Sequence, residues 1–141
     1  MKKLTAASAK KFIQDLEKAM DEGTAQLLVN TQSKLSAASP VDTGRLASSW
    51  VIGKNNINPS VAAKRKPGTT RVSVEEYSGV ITFDGNWHVS NSLPYAQQAA
   101  YNPGYVGRVG GNAAGDWFSR IENNLTRDAK RYYDQFLNKV K

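Results

Sequence analysis

The feature that most narrows the fold is a run of apolar and small residues at helical spacing through the first third of the chain. Phe12, Ile13, Leu16, Ala19, Met20, Gly23, Leu27, Leu28, Thr31 and Leu35 recur at steps of three and four, which stacks them in one stripe along a helix. Lys10, Lys11, Asp15, Glu17, Lys18, Asp21 and Glu22 fill most of the other positions. The pattern predicts a long amphipathic helix over residues 5–38. Pro40 ends it, because the residue before a proline is pushed out of helical angles. Gly23 costs roughly 1 kcal/mol against alanine in a helix interior, so a kink or a closely packed neighbour is expected there.

A stripe of that length needs surfaces to cover it, and the remaining sequence supplies two. Over residues 116–140, Trp117, Phe118, Ile121, Leu125, Ala129, Tyr132, Tyr133, Phe136, Leu137 and Val140 line one side of a second amphipathic helix. Between the helices the pattern is β. Trp50 to Gly53, the alternating "TRVSVEEY", the β-branched "GVITF" and "WHVSNS" after the turn Asp84-Gly85-Asn86 read as strands. The expectation is a single α+β domain over residues 1–141, with a small antiparallel sheet of about four strands in 47–92 and a long helix at each end. Residues 54–70, rich in Asn, Pro and cations, read as a mobile basic loop. Pro94 suits the first position of a short helix through "PYAQQAAY", and "NPGYVGRVGGNAAG" reads as a glycine-rich loop.

Composition excludes several function classes. The chain has no cysteine, so disulfide scaffolds and thiolate zinc sites are ruled out. The start "MKKLTAASAKKF" is charged, but no apolar run follows it, so a cleaved signal is not expected. No segment approaches the roughly 20 apolar residues of a membrane span. A hydrophobic share of 40% is that of an ordinary globular chain, so disorder is not the expectation. The formal net charge of +7 favours acidic partners, of which nucleic acid is the commonest. No recognition motif accompanies that charge.

One triplet raises the question of catalysis. "SPVDTGRLASSW" contains Asp42-Thr43-Gly44, the triplet that carries the aspartate of aspartic proteases. Such a site needs two carboxylates sharing one proton, each on a loop that follows a buried strand. Here a helix end and Pro40 lead in, and the long cation Arg45 follows. The structural reading fits better: Asp42 is a favoured N-cap, accepting from the amides of Gly44 or Arg45, and Gly44 permits a tight turn. Leu46 and Trp50, four apart, are then expected to share a face under the sheet. No other chemistry assembles. His88 is the only histidine and has no acidic pair beside it, so no metal site is expected. Ser48 and Ser49 lack a neighbouring base, and the glycines at Gly104, Gly107, Gly110 and Gly111 lack the Lys-Ser/Thr ending of a phosphate loop.

Two segments carry a resemblance. "SPVDTGRLASSW", followed some forty residues later by "HVSNSLPYAQQAAY", resembles the tail-completion or neck protein family of tailed bacteriophages, through Pro40 to Leu46 and Asn91 to Ala96. The resemblance implies a non-enzymatic virion protein without cofactor, assembled in the host cytoplasm. Its subunits would form a ring, a hexamer by family likeness, at the head–tail junction. Its partners would be the head connector or adaptor, the tail terminator or tail tube proteins, and double-stranded DNA passing without sequence reading; no membrane is involved. A tail terminator or stopper of the same machine is the alternative, and a basic nucleic-acid-binding protein a further one. On this reading Lys64, Arg65, Lys66 and Arg71 are candidates for contact with DNA in the channel. Tyr95, Tyr101 and Tyr105 are candidates for a subunit or partner interface, being large amphipathic side chains of the type enriched there.

Overall fold

The computed structural model describes residues 5–40, 44–66, 71–101 and 117–140. In chain order these form α1 (Ala6–Ala38), α2 (Arg45–Ser48), β1 (Trp50–Lys54), β2 (Trp87–Asn91), α3 (Ala96–Tyr101) and α4 (Trp117–Leu137). The fold is α+β, with a long helix towards each end.

α1 starts where its sequence can satisfy free amides. Thr5 and Ser8 form a capping box: the Ser8 amide donates to Thr5 Oγ1 at 3.1 Å, and the Thr5 amide donates to Ser8 Oγ at 2.8 Å. The helix stops at Ser39, extended ahead of Pro40. Ser39 is fully buried. Its hydroxyl donates to the Leu35 carbonyl at 2.7 Å and accepts from the Trp50 indole N–H at 2.8 Å. The helix end is thereby fastened to the first strand.

The sheet has two strands among the described residues, not four. β1 and β2 pair antiparallel, with Trp50 opposite Asn91, Ile52 opposite Val89 and Lys54 opposite Trp87. The segment 71–80 runs beside β1 without a ladder, because a side chain takes the place of strand pairing. Gln32 of α1 is buried, and its amide donates both to the Trp50 carbonyl at 2.8 Å and to the Glu75 carbonyl at 2.9 Å. The Ser73 amide goes to Ser48 Oγ at 2.9 Å. "GVITF" likewise is not a strand: the Phe83 amide donates to Asp21 of α1 at 3.0 Å, and the Thr82 carbonyl accepts from the Trp87 indole at 2.7 Å. Val72 and Val80, assigned to strands by their β-branching, are exposed.

α4 lies antiparallel to α1. Its start, with Trp117, Phe118 and Ile121, packs on Leu35 and Trp50, and its end reaches Ala19 through Phe136 and Val140. Trp50 stacks on Phe118 at 6.1 Å between ring centroids and meets Trp117 edge-on at 6.2 Å. Midway the helices come close at Gly23, where a Cβ would stand 2.6 Å from Tyr133 Cδ1. Gly23 is therefore a close-packing position. Beside it the Tyr133 hydroxyl and Thr24 Oγ1 are 2.5 Å apart, and Thr24 passes its own proton to the Met20 carbonyl.

Phe12 and Ile13 leave the expected core stripe: both are about half exposed. Length explains it. α1 has 33 residues and α4 has 21, roughly 50 Å against 32 Å at 1.5 Å per residue. With the end of α4 beside Ala19, the first turns of α1 extend past it.

Among the described residues one ion pair crosses between α1 and α4. Lys34 Nζ lies 2.7 Å from Asp128 Oδ2, with Arg131 3.8 Å from the other oxygen; Asp128 is buried and Lys34 is 40% exposed. The Lys34 hydrogen bond holds the Asp128 carboxyl below its ordinary value, against the opposing effect of burial. The folded-state pKa is depressed, so this stabilisation is present above the unfolded pKa and disappears as pH falls through the folded one. Lys34→Ala strands a buried carboxylate and is expected to cost about 2 kcal/mol, below the range for fully buried pairs because Lys34 is partly solvated. Urea titrations should show that difference at pH 7 and its shrinkage as Asp128 becomes protonated in both proteins.

Candidate functional site

The two motif segments meet in space. Leu46, in α2, packs with Leu93 and Ala99, and Tyr95 and Ala96 close over them. The Asn91 side-chain amide donates to the Leu46 carbonyl at 2.8 Å, while its oxygen accepts from the Leu93 amide at 3.2 Å. One asparagine thus joins the end of β2, the turn before α3 and the short helix α2. Leu46 and Trp50 do not share a face: α2 ends at Ser48, and the two residues enter different clusters.

Gly44 is the N-cap of α2, at φ +79°, a left-handed conformation that favours glycine. Among the described residues no side chain caps that helix, and a Cβ on Gly44 would run into the Arg71 carbonyl. Asp42 lies outside the described residues. The neighbouring hydroxyls hold backbone: Ser49 Oγ donates to the Arg45 carbonyl at 2.6 Å and accepts from the Ala62 amide at 2.9 Å, and Ser48 Oγ accepts from Ser73.

The basic segment folds back on this corner. Arg45 Nε donates to the Ala62 carbonyl at 2.7 Å, and the Arg65 guanidinium donates to the Arg71 carbonyl, which itself backs Gly44. Lys64, Lys66 and Arg71 are exposed and Arg65 partly buried. None of the four makes an ion pair among the described residues. Their charge is thus presented to solvent from a segment pinned at Ala62 and Arg65.

The tyrosines separate. Tyr95 is partly buried against the Leu46 cluster. Tyr101, at the end of α3, is 54% exposed and packs edge-on against Phe118 at 5.4 Å. Pro94, Gln97 and Gln98 share an open concavity with it. Tyr105 lies outside the described residues. His88 sits half-buried opposite Gly53. Among the described residues no group of three or more His, Asp or Glu is placed to hold a metal ion, and no helix is long and apolar enough to cross a membrane.

Sequence reasoning missed an apolar groove of about 430 Å³ between α1, β2 and α4, lined by Leu27, Leu28, Val89, Phe118, Ile121 and Leu125 among others. A signal was available: both helices carry apolar residues two abreast here, Leu27 with Leu28 and Phe118 near Ile121, which makes a wider stripe than one helix contact covers.

Two helices packed antiparallel over a two-stranded ladder, with the motif residues engaged in holding backbone, define the fold class. Residues 1–93 match the family model HK97-gp10_like, "Bacteriophage HK97-gp10, putative tail-component". The chain belongs to this family of phage tail components. The match takes in α1, the Gly44 corner and both strands. No curated protein and no solved structure gives a match.

Proposed function

We propose that the chain is a non-enzymatic neck or tail-completion subunit that forms a ring joining the head connector to the tail around the DNA path. The observation that carries this reading is the tail-component family match across α1, both strands and the Gly44 corner. Two features support it. The Asp-Thr-Gly neighbourhood serves backbone geometry through Gly44, Arg45, Ser48 and Ser49. Groups suited to assembly, Tyr101, Lys64, Lys66 and Arg71, are exposed. Asp42 acts in this reading as a cap or turn residue, Tyr95, Tyr101 and Tyr105 belong to subunit or partner contacts, and the subunit resides in the virion.

The test is to grow the phage without this gene product. The expected result is filled heads and finished tails that stay apart and join when purified protein is added, with the subunit imaged at the junction. Complete infectious particles formed without it would overturn the reading; a position at the tail's own end would favour a terminator.

The cations of the basic segment, which have no ion-pair partner among the described residues, favour contact with passing DNA, since phosphate neutralisation needs charge and no base reading. Purified protein should bind duplex DNA at low salt and lose that binding when Lys64, Arg65 and Lys66 are neutralised. No binding at low salt removes this contact.

A further inference from the structure

The molecule carries an unsatisfied pair of surfaces at two different places on α1. One is its projecting N-terminal end, where Phe12 and Ile13 are 47% and 53% exposed with the end of α4 already behind them. The other is the apolar groove at Leu27, Leu28, Phe118, Ile121 and Leu125. Size and chemistry match. A cavity of roughly 150 Å³ lined by aliphatic and aromatic side chains accepts a benzene ring, so a groove of about 430 Å³ has room for a phenyl ring and a branched aliphatic chain together.

Charge matches as well. The projecting end carries Lys10 and Lys11, and Lys11 is paired with Asp15 at 2.8 Å. Lys10 has no ion-pair partner among the described residues, and neither has Glu122, which lines the groove. A cation next to an apolar knob and an anion at the edge of an apolar hole are complementary.

The two surfaces cannot meet within one chain. Ile13 and Leu28 lie on the same continuous helix, about 22 Å apart at 1.5 Å per residue. We propose that the groove receives the Phe12–Ile13 end of α1 from a second copy of this chain. The contact joins two different patches and is therefore heterologous, the kind that repeats from subunit to subunit and closes into a ring when the rotation allows. This rests on the ring reading above and assigns the surfaces that would build it.

The absence of cysteine makes the test clean. A disulfide needs Cα atoms within about 7 Å, so a bond between Cys placed at 13 and Cys placed at 125 must join two molecules. The double variant Ile13→Cys/Leu125→Cys is expected to give a ladder of disulfide-linked multimers, in concentrated solution or in assembled particles. Ile13→Cys alone should give no linked dimer. In solution, Lys10→Glu and Glu122→Lys should each weaken self-association several-fold by sedimentation, and combining them should restore it.

Circular dichroism checks that the Leu125 variant stays folded; the charge variants are both at exposed positions and provide a second readout. No 13–125 bond in either setting, or linkage only between identical positions, overturns the proposal. The two readings fail separately: particles that contain the subunit at the junction without 13–125 linkage sink the docking and keep the function. A linked ladder from protein that particles do not need does the reverse.

Discussion

Trp50→Ala is expected to lower the unfolding free energy by about 4 kcal/mol, within the range for deleting a buried tryptophan. Trp50 is 5% exposed and belongs to three contacts at once. Its ring stacks on Phe118 and meets the edge of Trp117, so its removal opens the seat of α4. Its indole N–H reaches Ser39, whose hydroxyl already holds the Leu35 carbonyl, so the end of α1 loses its tie to β1. Leu35 and Ala100 then border a void that cannot close without moving a helix. Trp50→Phe separates the terms: it keeps most of the apolar volume and removes only the donor to Ser39, which predicts a loss of roughly 1 kcal/mol. Urea unfolding measures both, with Trp87 and Trp117 left as fluorescent reporters. A loss below about 1 kcal/mol for Trp50→Ala would mean that the core is not centred on this residue.

The parts of this fold that were legible in the sequence are those that obey a period. α1 and α4 follow from apolar residues at steps of three and four. β1 and β2 follow from short runs bounded by turn residues. The errors arise where a single tertiary contact overrides local pattern. "TRVSVEEY" has the alternation of a strand, yet Gln32 occupies the hydrogen-bonding position that a neighbouring strand would need. Nothing in α1 marks Gln32 as buried, because a glutamine in a polar stretch of helix is of a type that is mostly exposed. Phe12 and Ile13 fit the stripe, but burial depends on how far a partner helix extends, and a stripe does not encode its partner's length.

The site was legible only in part. The two motif segments were visible as strings. That Asn91 would bond the Leu46 carbonyl across 45 residues of chain was not, since a side-chain bond to a distant backbone carbonyl leaves no periodic trace. Gly44 could be read as a turn residue, and the left-handed angle with the Arg71 carbonyl behind it shows what the turn requires. The apolar groove was hidden for a different reason. Pattern analysis asks whether a stripe exists, while a groove is the portion of two stripes that their mutual contact leaves uncovered.

The close approach of the two long helices makes the sharpest test of the packing. Gly23→Leu is expected to cost about 3 kcal/mol, at the upper end for forcing extra volume into a packed contact. The first atom of any side chain there would stand 2.6 Å from Tyr133 Cδ1 and 3.2 Å from Tyr133 Cα. The ring cannot swing away freely, because its hydroxyl is held by Thr24, and the Cα can retreat only by moving α4. Gly23→Ala sets two effects against each other. Helix propensity favours alanine by about 1 kcal/mol, while separating the helices costs more than that, so the net change is expected to be destabilising. In a Tyr133→Ala background the ring contacts are gone and only the tight 3.2 Å approach to the backbone Cα of residue 133 remains, so the same substitution should cost much less, with the propensity difference of about 1 kcal/mol working in its favour. A double-mutant cycle reads that difference as a coupling between the two positions. Equal effects of Gly23→Ala in both backgrounds would show that the helices do not touch where the structure brings them together.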